Sequence, residues 1–168
     1  PAVTEAAKTR AAAARARREQ YRYDGPENLP LQVRCITYGI PRIGGLGAGY
    51  NSYYKIFQTA DHVVMLGEMI HDARLIPIVD SPHIPPHIRQ WHGDARGRWD
   101  GDTLVVQTTN FAPQSNYRGS SSQLHLVERF TLVGPETLHY EITVTDPTTW
   151  ITPWTALAVL KKTEDPVF

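Results

Sequence analysis

HLVERFTLVGPETLHYEITVT, residues 125–145, is the stretch whose reading decides the fold class. A turn at Gly134-Pro135-Glu136 pairs Leu132 with Leu138, Phe130 with Tyr140, Glu128 with Ile142 and Leu126 with Val144. The opposite face pairs Thr131 with His139, Arg129 with Glu141, Val127 with Thr143 and His125 with Thr145. One register makes one face apolar and the other polar, and this is how a half-buried antiparallel pair specifies its alignment. Arg129 and Glu141 are expected to form a solvated cross-strand ion pair of little energetic weight. Glu128 breaks the pattern, as a carboxylate in the middle of the apolar face.

The same alternation continues on both sides. YYKIFQT turns through Ala60-Asp61 into HVVMLGEMI, and RLIPIV follows a break at Asp72-Ala73. RGRW turns through Asp100-Gly101, an Asp-Gly hairpin signal, into DTLVVQTTNF. WTALAVLKK is the last strand, and VRCITYGIP (33–41) is a short strand-like run near the start. The expectation is a mainly β chain of about eight antiparallel strands with hairpin connections. These favour an up-and-down, lipocalin- or calycin-like barrel or a curled half-barrel, with a two-sheet sandwich as the alternative. The Gly-rich stretch RIGGLGAGYN (42–51) leads into a strand rather than a helix, so it reads as a loop and not as a phosphate cradle.

Residues 1–24 form a separate unit, an alanine-rich helical arm and connector ahead of one β domain over 25–168. Thr4 suits an N-cap, and Arg15, Arg17 and Arg18 lie where the helix dipole favours cations. With no large apolar side chain the helix can bury little area. It is expected to be a solvated arm, or one that packs on another subunit. The 168 residues carry 17 Lys plus Arg against 17 Asp plus Glu, so no bulk field draws the chain to nucleic acid. No apolar run approaches the roughly 20 residues of a membrane span. Cys35 is the one cysteine and pairs with nothing in the chain. The opening AVTEAA looks like material just after a cleaved export signal, or an artificial edge.

Candidate chemistry concentrates between Glu68 and Val106, which hold four of the seven histidines. On a regular strand Val64, Leu66, Glu68 and Ile70 share one face, so Glu68 repeats the anomaly of Glu128. Each glutamate is either a structural carboxylate bonded to arginine or backbone amides, or a cavity acid or base. His71 completes the candidate catalytic set Glu68, His71 and Glu128, its ordinary pKa suiting proton transfer near neutrality. In strand geometry His71 and Asp72 point to opposite faces unless a bulge intervenes. His83 and His87 have H-x-x-x-H spacing, but Pro85 and Pro86 exclude the helix that makes such a pair a zinc site, so no metal is assigned. Arg89, Trp91, Asp94 and Arg96 either clamp a small anion or sugar or pair among themselves to hold the long loop down. With Arg74 and Tyr140 they make up the candidate ligand-binding set. No G-x-S-x-G elbow and no cofactor motif can be completed.

The phrases EMIHDARLIP, PPHIRQW, GDARGRWDGDTLVVQTTNF, RGSSSQLHLVERFT and TDPTTWITPWT occur in order. Together they resemble an uncharacterised family of exported bacterial β-rich proteins, frequent in soil and acidobacterial-type genomes. The resemblance covers roughly residues 25–168 and implies export and a single β-rich domain. It brings no activity, cofactor or catalytic residue, and it implies a chain continuing beyond EDPVF. Three readings follow. The first is an exported small-molecule-binding or accessory barrel holding a small organic ligand. The second is a cofactor-independent lyase, isomerase or hydrolase using Glu68, His71 or Glu128, which needs at least two of them to converge on one cavity. The third is a structural subunit that self-associates or joins a complex through the N-terminal helix.

Overall fold

A computed structural model describes residues 1–40, 53–115 and 117–164, so the glycine-rich stretch 42–51 lies outside the described residues. One helix, α1 (Glu5–Tyr21), precedes eight strands among the described residues. They are β1 (Tyr54–Gln58), β2 (His62–Gly67), β3 (Ala73–Pro77), β4 (Asp94–Asp100), β5 (Thr103–Thr109), β6 (His125–Gly134), β7 (Thr137–Thr145) and β8 (Trp154–Lys161). Every ladder is antiparallel and joins sequence neighbours. β1-β2-β3 make one sheet and β4-β5-β6-β7-β8 a second.

The β6–β7 hairpin adopts the expected register from His125↔Thr145 to Leu132↔Leu138, with an irregularity between Leu132 and Gly134. Asp100↔Thr103 closes a two-residue turn in which Gly101 takes φ +58°, the left-handed conformation such a turn demands. Leu126, Phe130, Tyr140, Ile142 and Val144 supply one wall of the core, and Val63, Met65 and Ile76 from the smaller sheet face them.

The two sheets do not close into an up-and-down barrel. Among the described residues no ladder joins β8 to β1, and between β3 and β4 the antiparallel order is broken. Ile78, just past β3, meets β4 only through an isolated parallel bridge, Ile78↔Gly97, and the proline-rich connection that follows makes a second one, Gln90↔Phe111. Gly97 allows the first of these because a Cβ there would lie 2.8 Å from Ile78 Cδ1.

Two local expectations are corrected. Residues 33–40 form no strand: Leu31–Cys35 wind into turns, with Val33 N donating to Pro30 O and Ile36 N to Leu31 O. β2 buries Val63, Met65 and Gly67 rather than Val64 and Leu66. It ends at Gly67, where Gly67 N donates to Asp72 O across residues 68–71, so Glu68 and Ile70 never continue the strand face.

α1 buries only Ala7. Its start is nevertheless fastened: Thr4 Oγ1 accepts from Ala7 N and donates to Thr148 O at 2.7 Å, and Arg10 donates to Thr149 Oγ1 at 2.8 Å. Asp146 holds that receiving turn by accepting from Ser121 N, from Thr148 N and from the hydroxyls of Ser121, Thr148 and Thr149.

Candidate functional site

β3 alternates so that Arg74 and Ile76 point inward while Leu75 is exposed. Arg74 therefore crosses from the small sheet to the large one. Its Nη1 donates to Glu128 Oε1 at 2.9 Å, and its Nη2 donates to Glu128 Oε2 and, at 2.9 Å, to Thr108 Oγ1. Tyr140 OH donates to the same Oε1 at 2.9 Å. Glu128 is 0% exposed and Arg74 4%. A charge taken out of water is tolerable only with such a partner, and two parallel N–H···O bonds are the strongest form it takes. Burial opposes the guanidinium charge, but the Glu128 charge and hydrogen bonds outweigh it and raise the Arg74 pKa. Burial, then the Glu128 charge, pushes the Tyr140 phenol well above its ordinary value. Both carboxylate oxygens of Glu128 are thus occupied by donors.

Arg74 Nε meets no hydrogen-bond partner among the described residues. Beside Arg74 lies a small cavity of about 30 Å³ lined by Tyr38, Tyr54, Met65, Asp72 and His92, among others. That is room for about two water molecules. On its wall Asp72 Oδ1 contacts His92 Nε2 at 2.9 Å, and Asp72 Oδ2 accepts from Thr37 Oγ1 at 2.6 Å and from Tyr38 N at 3.1 Å. Burial raises the Asp72 pKa, yet the bonds from His92 and Thr37 and the His92 charge bring it below the ordinary value. The histidine partner of Asp72 is therefore His92, twenty residues away in sequence, and not the adjacent His71.

A second carboxylate organises the proline-rich loop. Asp94 Oδ2 contacts His83 Nδ1 at 2.7 Å and accepts from Ile84 N, while Oδ1 accepts from Arg96 Nη1 at 2.6 Å. Asn110 Nδ2 donates to Ile84 O at 2.8 Å. Arg89 reaches elsewhere, to Ser122 O at 2.9 Å, and Trp91 is exposed. Burial works against the Asp94 charge, but the bonds from His83, Ile84 N and Arg96 win and lower its pKa. Nearby His125 is lowered by burial, then by the His83 charge. Among the described residues no three His, Cys, Asp or Glu side chains gather as a metal site requires.

A further recess is open to solvent. A cleft of about 730 Å³ runs between the two sheets at the end carrying the β4–β5 turn. Ile56, Met65, Trp99, Leu104, Phe130, Leu132 and Leu138 line it, with Gln58 and Asp102 as its polar side chains. Trp99 is 44% exposed, Ile56 44% and Leu132 62%. The apolar stripe of the β6–β7 hairpin outruns the core here, so its last pair, Leu132 and Leu138, forms cleft wall instead of interior.

Of the residues singled out from sequence, Arg74, Glu128 and Tyr140 come together in the core. Asp94 and Arg96 pair beneath the loop. Glu68 begins the five-residue β2–β3 loop and His71 lies near its end, exposed, with φ +55° after Ile70 at +67°. Glu68, His71 and Glu128 line neither the cavity nor the cleft. Arg129 faces Glu141 in register, yet it donates to Asp100 at 3.0 Å, because the β4–β5 turn brings that carboxylate over the same face. The Asp72–His92 and His83–Asp94 pairs and the Trp99 cleft escaped the sequence reading. The one visible signal was a tryptophan directly before an Asp-Gly turn, where core side chains are not expected.

Comparison with protein-family models, with curated proteins and with solved structures returned no match.

Proposed function

We propose that the protein is an exported small-molecule-binding β protein, a curled half-barrel of lipocalin-like kind whose open end takes an organic ligand. The observation that carries this reading is the cleft of about 730 Å³, an apolar recess between sheets that leaves Trp99, Ile56 and Leu132 substantially exposed. Recesses of this size, mostly apolar with a few placed polar groups, are the usual form of small-molecule sites. Contiguous apolar exposure is otherwise avoided on a protein surface. Export is supported by the family resemblance of residues 25–168.

The reading favours binding over proton-transfer catalysis, because Glu68, His71 and Glu128 do not converge on a common recess and the Glu128 carboxylate is bonded to Arg74 and Tyr140. The test is titration with the neutral apolar fluorophore N-phenyl-1-naphthylamine, in the wild type and in Ile56→Arg. Ile56 is half exposed on an edge strand, so the substitution leaves the fold intact while placing a charge on the cleft wall. Saturable fluorescence enhancement, weakened about tenfold or more in Ile56→Arg at an unchanged thermal midpoint, is expected. Binding that ignores the substitution, or no binding at all, rejects the proposal.

A further inference from the structure

The cleft has a charge signature of its own. Asp102 is the one ionisable side chain among its lining residues. Its neighbour Asp100 is already neutralised by Arg129 Nη2 at 3.0 Å, whereas the Asp102 side chain has no ion pair or hydrogen bond among the described residues. Lys55 offers no compensation from β1. Its amino group lies over the Phe57 ring at 5.6 Å to the centroid, and neighbours along a strand point to opposite faces, which turns Lys55 and Phe57 away from Ile56 and the cleft. Trp99 leads into the two-residue Gly101-Asp102 turn, so the indole and the carboxylate belong to the same hairpin end.

From this we infer that the ligand is an apolar molecule with a positively charged end, an alkyl- or arylammonium held at the mouth by the Asp102 carboxylate and the Trp99 ring. The inference rests on the binding reading above and adds the chemical class of the ligand. An aromatic face and an uncompensated carboxylate both attract a cation and both disfavour an anion, while the apolar wall formed by Ile56, Met65, Leu104 and Leu132 accepts the body. At an exposed mouth the ion pair and the cation–π contact are each modest. Together they favour a cation over a matched neutral or anionic head by about three- to tenfold in Kd.

Three probes with one tail separate the possibilities: octyltrimethylammonium, 1-octanol and octyl sulfate, titrated calorimetrically below their micelle concentrations against wild type and Asp102→Asn. The expected result is tightest binding of the ammonium, weakest of the sulfate and intermediate of the alcohol. Asp102→Asn should narrow the spread by weakening the ammonium most, with the Trp99 ring keeping a smaller cation preference. Equal binding of all three probes, tighter binding of the sulfate, or a cation preference undiminished in Asp102→Asn overturns the inference about class, and retained 1-octanol binding leaves the cleft reading intact. Failure of all three to bind overturns both.

Discussion

Replacing Arg74 with methionine isolates the contact that ties the two sheets together. Arg74 makes three side-chain hydrogen bonds in the core, two to Glu128 and one to Thr108. Methionine keeps much of the volume, so the loss is electrostatic: Glu128, fully buried, is left with Tyr140 as its one remaining side-chain donor. Breaking a buried pair in this way costs about 3–5 kcal/mol, which for a domain of this size lowers the thermal midpoint by roughly 6–20 °C. Removing both charges in Arg74→Met/Glu128→Leu leaves only the Tyr140 and Thr108 hydroxyls without these partners, at about 1–3 kcal/mol each. The double variant should therefore be far less destabilised than the sum of the two single changes, with a coupling of at least about 2 kcal/mol. Adding Tyr140→Phe should recover part of the remaining loss. Urea unfolding followed by tryptophan fluorescence and circular dichroism measures the wild type and all four variants. A cost below about 1 kcal/mol for Arg74→Met, or simple additivity in the double variant, would refute the assignment of this pair as the electrostatic link between the sheets.

Acid should weaken the fold in a defined order. Asp72, Asp94 and Asp146 are held below the ordinary 3.8 although burial pushes each up, because hydrogen bonds outweigh it. A folded pKa below the unfolded one contributes stability that is present above about pH 4 and is lost as pH falls through the folded value. His125, lowered from 6.5 by burial and then by the His83 charge, adds an earlier loss that begins as pH drops through 6.5 and the unfolded chain takes up the proton first. Urea midpoints measured from pH 8 to pH 3 should show both limbs, with Asp146→Asn shallowing the lower one; a flat profile down to pH 3 contradicts the carboxylate networks. At Gly93 the backbone has φ +68° and a Cβ would lie 2.5 Å from Thr109 O and 2.8 Å from Thr108 Cγ2. Gly93→Ala should therefore cost about 2–4 kcal/mol from strain plus overpacking, and an unfolding midpoint within experimental error of wild type would show that the turn relaxes.

The β6–β7 register was legible pair by pair because the period-two alternation and the turn residues are local and agree with each other. The β4–β5 hairpin was legible to within one residue, its turn falling at Gly101-Asp102 and not at Asp100-Gly101, and α1 was legible with its Thr4 cap. Local patterning failed at VRCITYGIP, where β-branched residues suggested a strand. There the backbone closes turns on itself, and Thr37 is captured by Asp72, thirty-five residues away. It failed again at Glu68 and His71, since a five-residue loop and a longer strand look alike until the Gly67 N to Asp72 O bond ends the ladder.

By itself, the sequence determined most of the strands, one hairpin register and the anomaly of a carboxylate on an apolar face, all of which depend on residues close together in the chain. Only the tertiary structure decided that Arg74, fifty-four residues away, neutralises Glu128, that the sheets stay open instead of closing, and that Leu132 and Leu138 become cleft wall. The physical reason is common to all three. A charge buried in the core must find a cation, and an apolar stripe must find a cover. Which residue answers is set by how the two sheets cross at Gly97 and Ile78, and no periodicity in the chain encodes that crossing.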